Sequence, residues 1–385
     1  MPWKDYLVSQ QRFALVHQIL LGHRSLAQVA REFGVSRKTA YKWLARYRLD
    51  RDADHDASLV DRSRRPRRSP ARCADSIESA VLDLRRQYNW GPRKIHRVLT
   101  NQPAPRSLPS IRTVAAILKR RGCIDPPTPA STPVPAQSFE RAAPNELWQL
   151  DHKGAIEVAR QRVMPLTVLD DHSRYCLCFC PLGDVTIGSV WTVLWRLFDE
   201  VGLPESILCD NAFSGHIGLS SFDAALVRLD IRPLHGRPYH PQTQGKVERL
   251  HGSVQRELID FDARRDDLNH FKEDCERWRR TYNTLRPHEA LDDQPPVLRW
   301  RPSSRKRPAT MPGEVTYASD AITRRVSFAG DFRYHNARIV VGRGLTGQTC
   351  RIEPREHDIA VFYSWKLLRI IPNTLLAGGR SDKII

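Results

Sequence analysis

No stretch of the 385 residues approaches the roughly 18 consecutive apolar residues that a membrane helix needs. The opening residues MPWKDYLVSQ hold no apolar core of a secretion signal. No Cys-x-x-Cys pair occurs among cysteines 73, 123, 176, 178, 180, 209, 275 and 350, which argues against a metal knuckle. Reduced thiols suit the pattern better than disulfides, and the alternation of Cys176, Cys178 and Cys180 suggests one face of a buried strand. A Gly-rich phosphate loop is also missing, so no nucleotide cofactor is expected. These absences together point to a cytosolic chain with no membrane partner.

What is present is positive charge, unevenly placed. The net charge is +18. Residues 1–125 hold 26 Lys/Arg against 11 Asp/Glu, a net of +15, which leaves only +3 for residues 126–385. A basic surface confined to one third of the chain is what attraction to DNA by counterion release requires. A cytosolic or nucleoid-associated protein is therefore expected.

The first segment, 1–50, reads as helical. In SLAQVAREFGVSRKTAYKWLARYR, Leu26, Val29, Ala30 and Phe33 share one helical face, Gly34 permits a turn, and Ser36 is placed to cap a second helix. Ala40, Trp43 and Leu44 face inward there, leaving Arg37, Lys38, Tyr41 and Lys42 outward, as in the reading helix of a helix-turn-helix. Residues 51–73 form a basic linker whose Arg62, Arg64, Arg65, Arg67 and Arg68 suit contact with phosphates or a minor groove. Residues 74–123 repeat the helix-turn-helix pattern. Ile77, Val81 and Leu84 form an apolar stripe, Pro92 opens a helix, and Ser110 caps the last one; Arg93, Lys94, Arg97 and Arg112 are its outward candidates. Residues 124–143 are a second linker. From 144 to 300 the pattern turns α/β: three strands, a helix over VTIGSVWTVLWRLFDEVG, the buried strand ESILCD, then helices over 219–229 and 245–283. That order matches an RNase H-like fold. Residues 313–373 carry strand-and-turn patterning that reads as a small β-barrel.

Three acids stand out by position. Asp151 lies within the strand WQLDHKG, where an ionised side chain is costly unless it is paired or binds metal. Asp210 ends the buried run SILC, at the carboxyl end of a strand. Glu248 borders the apolar stripe Val247, Leu250, Val254 and Leu258 of a helix. Glu257, nine positions further on, falls about half a turn away at ~100° per residue and reads as solvated. Asp170, Asp171 and Ser173 read as a turn. Three clustered carboxylates repel one another without a cation, and hard cations such as Mg²⁺ prefer oxygen ligands. Two ions about 3.5–4 Å apart serve phosphoryl transfer by activating the attacking oxygen and stabilising the leaving one.

The words ELWQLDHKG, LDDHSRY, LPESILCDNA, HPQTQGKVERLHGS and YNTLRPHEAL resemble the integrase core of DDE insertion-sequence transposases, relatives of retroviral integrases. The first helix-turn-helix, DRSRRP and WGPRKI resemble the N-terminal half of such proteins, so the resemblance runs through about residue 300. It implies that Asp151, Asp210 and Glu248 are the catalytic, metal-binding triad, holding two Mg²⁺ with Mn²⁺ able to stand in. It implies 3′-end cleavage and strand transfer on double-stranded DNA, namely terminal inverted repeats and target, by a dimer or larger homo-oligomer. Lys246 and Arg249 flank Glu248 and suit contact with DNA phosphate, and His240, Gln242 and Gln244 precede it on a loop. The chain departs from the usual pattern at Asp210-Asn211-Ala212, where a Gly is common. Two alternatives stay open at this point: a DNA-binding regulator without catalysis, and a nuclease of the same fold that cuts without joining.

Overall fold

The computed structural model describes residues 8–49, 59–61, 73–101, 108–124, 140–210, 213, 218–236, 245–335, 337–377 and 383–384. Arg62, Arg64, Arg65, Arg67 and Arg68, and also His240, Gln242 and Gln244, lie outside them. The chain divides into two compact units, Met1–Arg72 and Cys73–Ile385.

The first unit packs three helices, α1 (Val8–Leu20), α2 (Leu26–Glu32) and α3 (Arg37–Leu49). Ser25 caps α2 in a reciprocal box with Gln28, Gly34 turns the chain at φ 63°, and Ser36 Oγ accepts from the Thr39 amide at 3.1 Å. Leu15, Val16, Val29, Ala30, Ala40, Trp43, Leu44 and Leu59 form the core. Arg12 is buried among them. Its guanidinium donates to the Leu59 carbonyl at 2.7 Å, pairs with Asp61 at 3.0 Å and lies 3.9 Å over the Trp43 ring.

The second unit opens with α4 (Asp75–Tyr88), α5 (Pro92–Asn101) and α6 (Ile111–Arg120), joined by a cluster that includes Val81, Trp90, Ile95, Val98, Val114 and Ile117. Buried Glu78 is neutralised by Arg120 and Arg121. A mixed sheet follows: β1 (Trp148–His152), β2 (Ile156–Val158), β3 (Gln161–Asp170), β4 (Cys176–Leu182), β5 (Ser206–Cys209) and β6 (Arg232–His235). β1 and β2 pair with β3, and β4 also pairs with β3. β5 runs parallel to both β1 and β6. One face of the sheet packs on α7 (Ile187–Val201) and α8 (Ser221–Arg228) through Leu150, Val168, Leu194, Phe198, Ile207 and Phe222. The other packs on α9 (Gly245–Val254), a π turn (Gln255–Ile259) and α10 (Leu268–Thr284) through Val163, Leu169, Val247, Leu250, Phe271 and Trp278. The three cysteines of β4 do not share one face. A register shift between Val168 and Leu169 turns Cys176 toward the α9–α10 side and leaves Cys178 and Cys180 toward α7. All eight thiols are free. No helix among the described residues is long and apolar enough to cross a membrane.

The C-terminal strands correct the expectation of a barrel. β7 (Ile322–Arg325), β10 (Thr349–Pro354), β11 (Asp358–Tyr363) and β12 (Lys366–Pro372) form one antiparallel sheet in the order β12-β11-β10-β7. β8 (Asp331–Tyr334), β9 (Ala337–Val340) and the short β13 (Lys383–Ile384) form another. Among the described residues neither sheet closes, because β7 and β12 remain opposite edges and do not pair as a barrel requires. Both sheets instead bury one apolar cluster, with Phe332, Ile339, Ile352, Val361 and Tyr363, against Ala224 and Val227 of α8. Strand alternation specifies which residues point inward, and two open layers satisfy it as well as a ring does. At this junction an added Cβ on Gly344 would lie 2.1 Å from the Ser220 carbonyl carbon. Gly344→Ala is expected to destabilise the folded chain by about 1–3 kcal/mol, read as a lower midpoint in chemical denaturation. Gly313→Ala, at a position with nothing within 4 Å of the new Cβ, is the control. Equal midpoints for the two variants would contradict the close approach.

Candidate active site

The sheet brings two of the acids toward one end. β1 and β5 pair as Trp148↔Ile207 and Gln149↔Leu208, Asp151 lies two residues further along β1, and Asp210 directly follows the last residue of β5. Both therefore lie toward the carboxyl ends of adjacent parallel strands, where the backbone leaves a crevice. Glu248 sits in the first turn of α9, exposed, on a helix anchored to the sheet by buried Val247, Leu250 and Val254. The charges of both Asp210 and Glu248 reach Asp151.

Asp151 carries the electrostatic signature of the site. Its side chain is 19% exposed. Burial, opposed by the His152 amide and reinforced by the charges of Asp210 and Glu248, pushes its pKa up to about 6. The His152 amide donates to Asp151 Oδ1 at 2.8 Å. Among the described residues no three His, Cys, Asp or Glu side chains are already gathered closely enough to hold a metal ion. The donor set nevertheless suits a hard divalent cation: it is all carboxylate oxygen, and a cation would favour the ionised Asp151 that burial and, after it, the neighbouring charges disfavour.

Histidines that the sequence reading did not single out surround these acids. His251, one turn after Glu248, meets Thr167 Oγ1 through Nε2 at 2.9 Å and places Nδ1 3.9 Å from Asp151 Oδ2. Thr167 is the cross-strand partner of Asp151. Burial, then the charges of Lys153 and His152, lowers His251 to a pKa of about 4, so it is neutral at pH 7. His152 stacks on Phe213 at 5.7 Å and keeps a buried Nε2 without a hydrogen-bond partner. His235 Nε2 bonds buried Asp223 at 2.8 Å beside the Asp210 backbone. The spacing of His251 from Glu248, three residues along a helix, was the available signal for the first of these.

The flanking acids have other roles. Asp170 accepts from the Asn145 and Ser173 amides, each at 2.8 Å, and Asp171 accepts from the Arg141 amide at 2.9 Å and Gln149 Nε2 at 2.8 Å. They tie the β3–β4 turn, as their spacing suggests. Glu257 is not solvated: its side chain is only 6% exposed and pairs with Arg286 at 2.8 Å and Lys94 at 2.7 Å. At ~100° per residue Glu257 lies in line with buried Leu250, seven positions earlier, and opposite Glu248, which is exposed, so the helix itself turns Glu257 inward.

The basic candidates divide into two groups. Arg37, Lys38, Tyr41 and Lys42 are exposed on α3, Arg112 is exposed on α6, and Arg249 is exposed beside Glu248. Arg93 instead pairs with Glu289 at 2.6 Å and Asp293 at 3.0 Å, Lys94 with Glu257, and Lys246 with Asp171 at 2.6 Å. Arg97 reaches the Asp293 carbonyl at 3.4 Å.

The chain is similar to several known proteins. Residues 141–241 and 229–296 match family patterns described as an integrase core domain. Residues 8–55 and 39–118 match homeodomain-like domains. The transposase for transposon Tn552 of Staphylococcus aureus is 23% identical over 92% of this chain and 81% of its own length. The Gag-Pro-Pol polyproteins of squirrel monkey retrovirus and Mason-Pfizer monkey virus are 32% and 33% identical over 33% and 29% of the chain, which spans only 7% and 6% of them. Among solved structures, the HTLV-2 integrase catalytic core in complex with magnesium aligns with a TM-score of 0.34 and 17% identity, over 41% of this chain and 97% of that one. A chain of the simian T-cell lymphotropic virus intasome in complex with PP2A regulatory subunit B56 gamma aligns at 0.39 and 16%, over 77% and 96%.

The raised pKa of Asp151 has a measurable consequence. A carboxyl whose folded-state pKa, about 6, exceeds its ordinary 3.8 stabilises the fold below about pH 4, and that contribution is lost as pH rises through 6. Asp151→Asn escapes this loss. In metal-free buffer its melting temperature relative to the parent is expected to be more favourable at about pH 7.5 than at about pH 4. The same difference at both pH values would contradict the assignment.

Proposed function

We propose that this chain, an integrase-core protein of the group that includes transposases and retroviral integrases, binds the terminal inverted repeats of an insertion sequence and catalyses metal-dependent 3′-end cleavage and strand transfer. The observation that carries the reading is that Asp151, on β1, feels the charges of Asp210, which directly follows the neighbouring parallel strand β5, and of Glu248, from the facing helix. Mg²⁺, or Mn²⁺ in its place, fits this carboxylate set. When bound, two such ions supply charge that activates an attacking oxygen and stabilises a leaving one.

The protein's own groups define the rest. Asp151 and Asp210 are fixed by the sheet. Glu248 approaches on a helix whose orientation is held by apolar packing and by the His251–Thr167 contact. In the first step a water oxygen attacks the phosphodiester at the element's end; the bond from phosphorus to the 3′ oxygen breaks and a 3′-hydroxyl is freed. In the second, that hydroxyl attacks a target phosphodiester and displaces its 3′ oxygen. Neither step needs a covalent enzyme–DNA bond or a nucleotide cofactor. Arg37, Lys38, Tyr41 and Lys42 present a basic, partly aromatic helix face to DNA, with Arg112 and Arg249 as further contacts and the arginines of 62–68 as phosphate partners. Joining two ends at one target requires a dimer or larger homo-oligomer on DNA, and the cytosolic nucleoid is the compartment where those substrates lie.

Glu248→Gln removes one carboxylate charge while keeping the side chain's size. It is expected to lower end cleavage and joining by on the order of 10²-fold or more, with little change in binding of a labelled end duplex. Joining at the parent rate would remove Glu248 from the mechanism. Cutting by the parent protein without joining would favour the nuclease reading.

A further inference from the structure

Glu257, Arg286 and Lys94 form a buried charge bridge that the proposed chemistry does not use. Glu257 lies on the π turn that continues α9, on the same helical rod as Glu248. Arg286 donates to both Glu257 oxygens and, at 2.9 Å, to Ser253 Oγ, and it lies beside buried His288. Lys94 comes from α5, in the helical module that precedes the catalytic sheet. Burial works against the charge of Glu257, yet Arg286 and Lys94 hold its pKa below the ordinary range. Burial, together with nearby Arg286, lowers Lys94.

Two further contacts leave the same short stretch of the module. Asn89, in a left-handed conformation at the end of α4, donates through Nδ2 to the Arg256 carbonyl at 2.9 Å. Arg93 clamps Glu289 and Asp293. Residues 89–94 thus grip both the π turn and the segment after α10. Exchanging a buried ion pair for apolar residues commonly costs nothing or even stabilises, so stability alone is a poor reason for this bridge. Its directional contacts fix orientation instead, and a π turn is a frequent device at functional sites.

We infer that Glu257 and Lys94 are positioning residues that lock the α4–α6 module to the catalytic helix, so that DNA held by the module is presented to Glu248 in register. This rests on the function proposed above. It also removes Arg93 and Lys94 from the set of DNA contacts and leaves Arg112 as the module's exposed basic candidate.

The test uses the full chain and a labelled duplex copied from the inverted repeat flanking its gene. Lys94→Met leaves Glu257 paired with Arg286, so no buried carboxylate is orphaned. Its expected effect is a fall in kcat for end cleavage of about ten- to a hundredfold, with duplex Kd and KM little changed, faster amide exchange across 254–260, and recovery in Lys94→Arg. Arg93→Ala, at a half-exposed pair, loosens the same grip without disturbing the interior and is expected to shift kcat in the same direction. A kcat that stays at the parent value in both variants, or that falls only in step with duplex affinity, would overturn the inference. A parent protein that binds the duplex but does not cut it overturns the catalytic reading instead, a separate outcome from either.

Discussion

Gathering carboxylates in one crevice sets the terms for the rest of this structure. Burial in the sheet, and after it the charges of Asp210 and Glu248, raise the cost of ionising Asp151. Here β1 carries Asp151, Asp210 directly follows β5, and α9, anchored by Val247, Leu250 and Val254, brings the third. The hydrophobic layers on both sides of the sheet make that geometry stiff. The neutral His251 and the cross-strand Thr167 fill the wall beside Asp151 without adding charge.

Much of this was legible in the sequence because it depends on local pattern. An acid inside an apolar strand, an acid ending a buried run and an acid beside a helical stripe are read from neighbours a few residues away, and Asp151, Asp210 and Glu248 occupy those elements. Helix caps at Ser36 and Ser110 follow from the same local chemistry. What was not legible depends on partners distant in sequence or on small breaks in period. Glu257 lies in line with buried Leu250, and an acid is tolerated there because Arg286 and Lys94 arrive from distant parts of the chain to neutralise it. One register shift in β3 against β4 divides the cysteines between two faces. Strand patterning near the C-terminus marks a β region but does not say whether sheet edges meet.

Basic residues illustrate the same limit. Arg37 and Arg93 look alike in sequence, each near the start of a helix in a positively charged region. Arg37 is exposed, whereas Arg93 finds Glu289 and Asp293 some two hundred positions away. Charge composition identifies a region suited to DNA; only tertiary pairing separates cations that meet phosphate from cations that hold the protein together. The C-terminal layers make a comparable contribution to order, resting on α8 at a junction where Gly344 leaves no space for a side chain.

The central claim is that Asp151, Asp210 and Glu248 jointly hold divalent cations at a DNA end. Anomalous diffraction from Mn²⁺ in crystals of the protein bound to an end duplex tests it most directly. The account predicts manganese peaks within coordination distance of all three carboxylates, beside the scissile phosphate. Peaks bound instead by Asp170 and Asp171, or lacking Glu248 or Asp210 among their ligands, would contradict it.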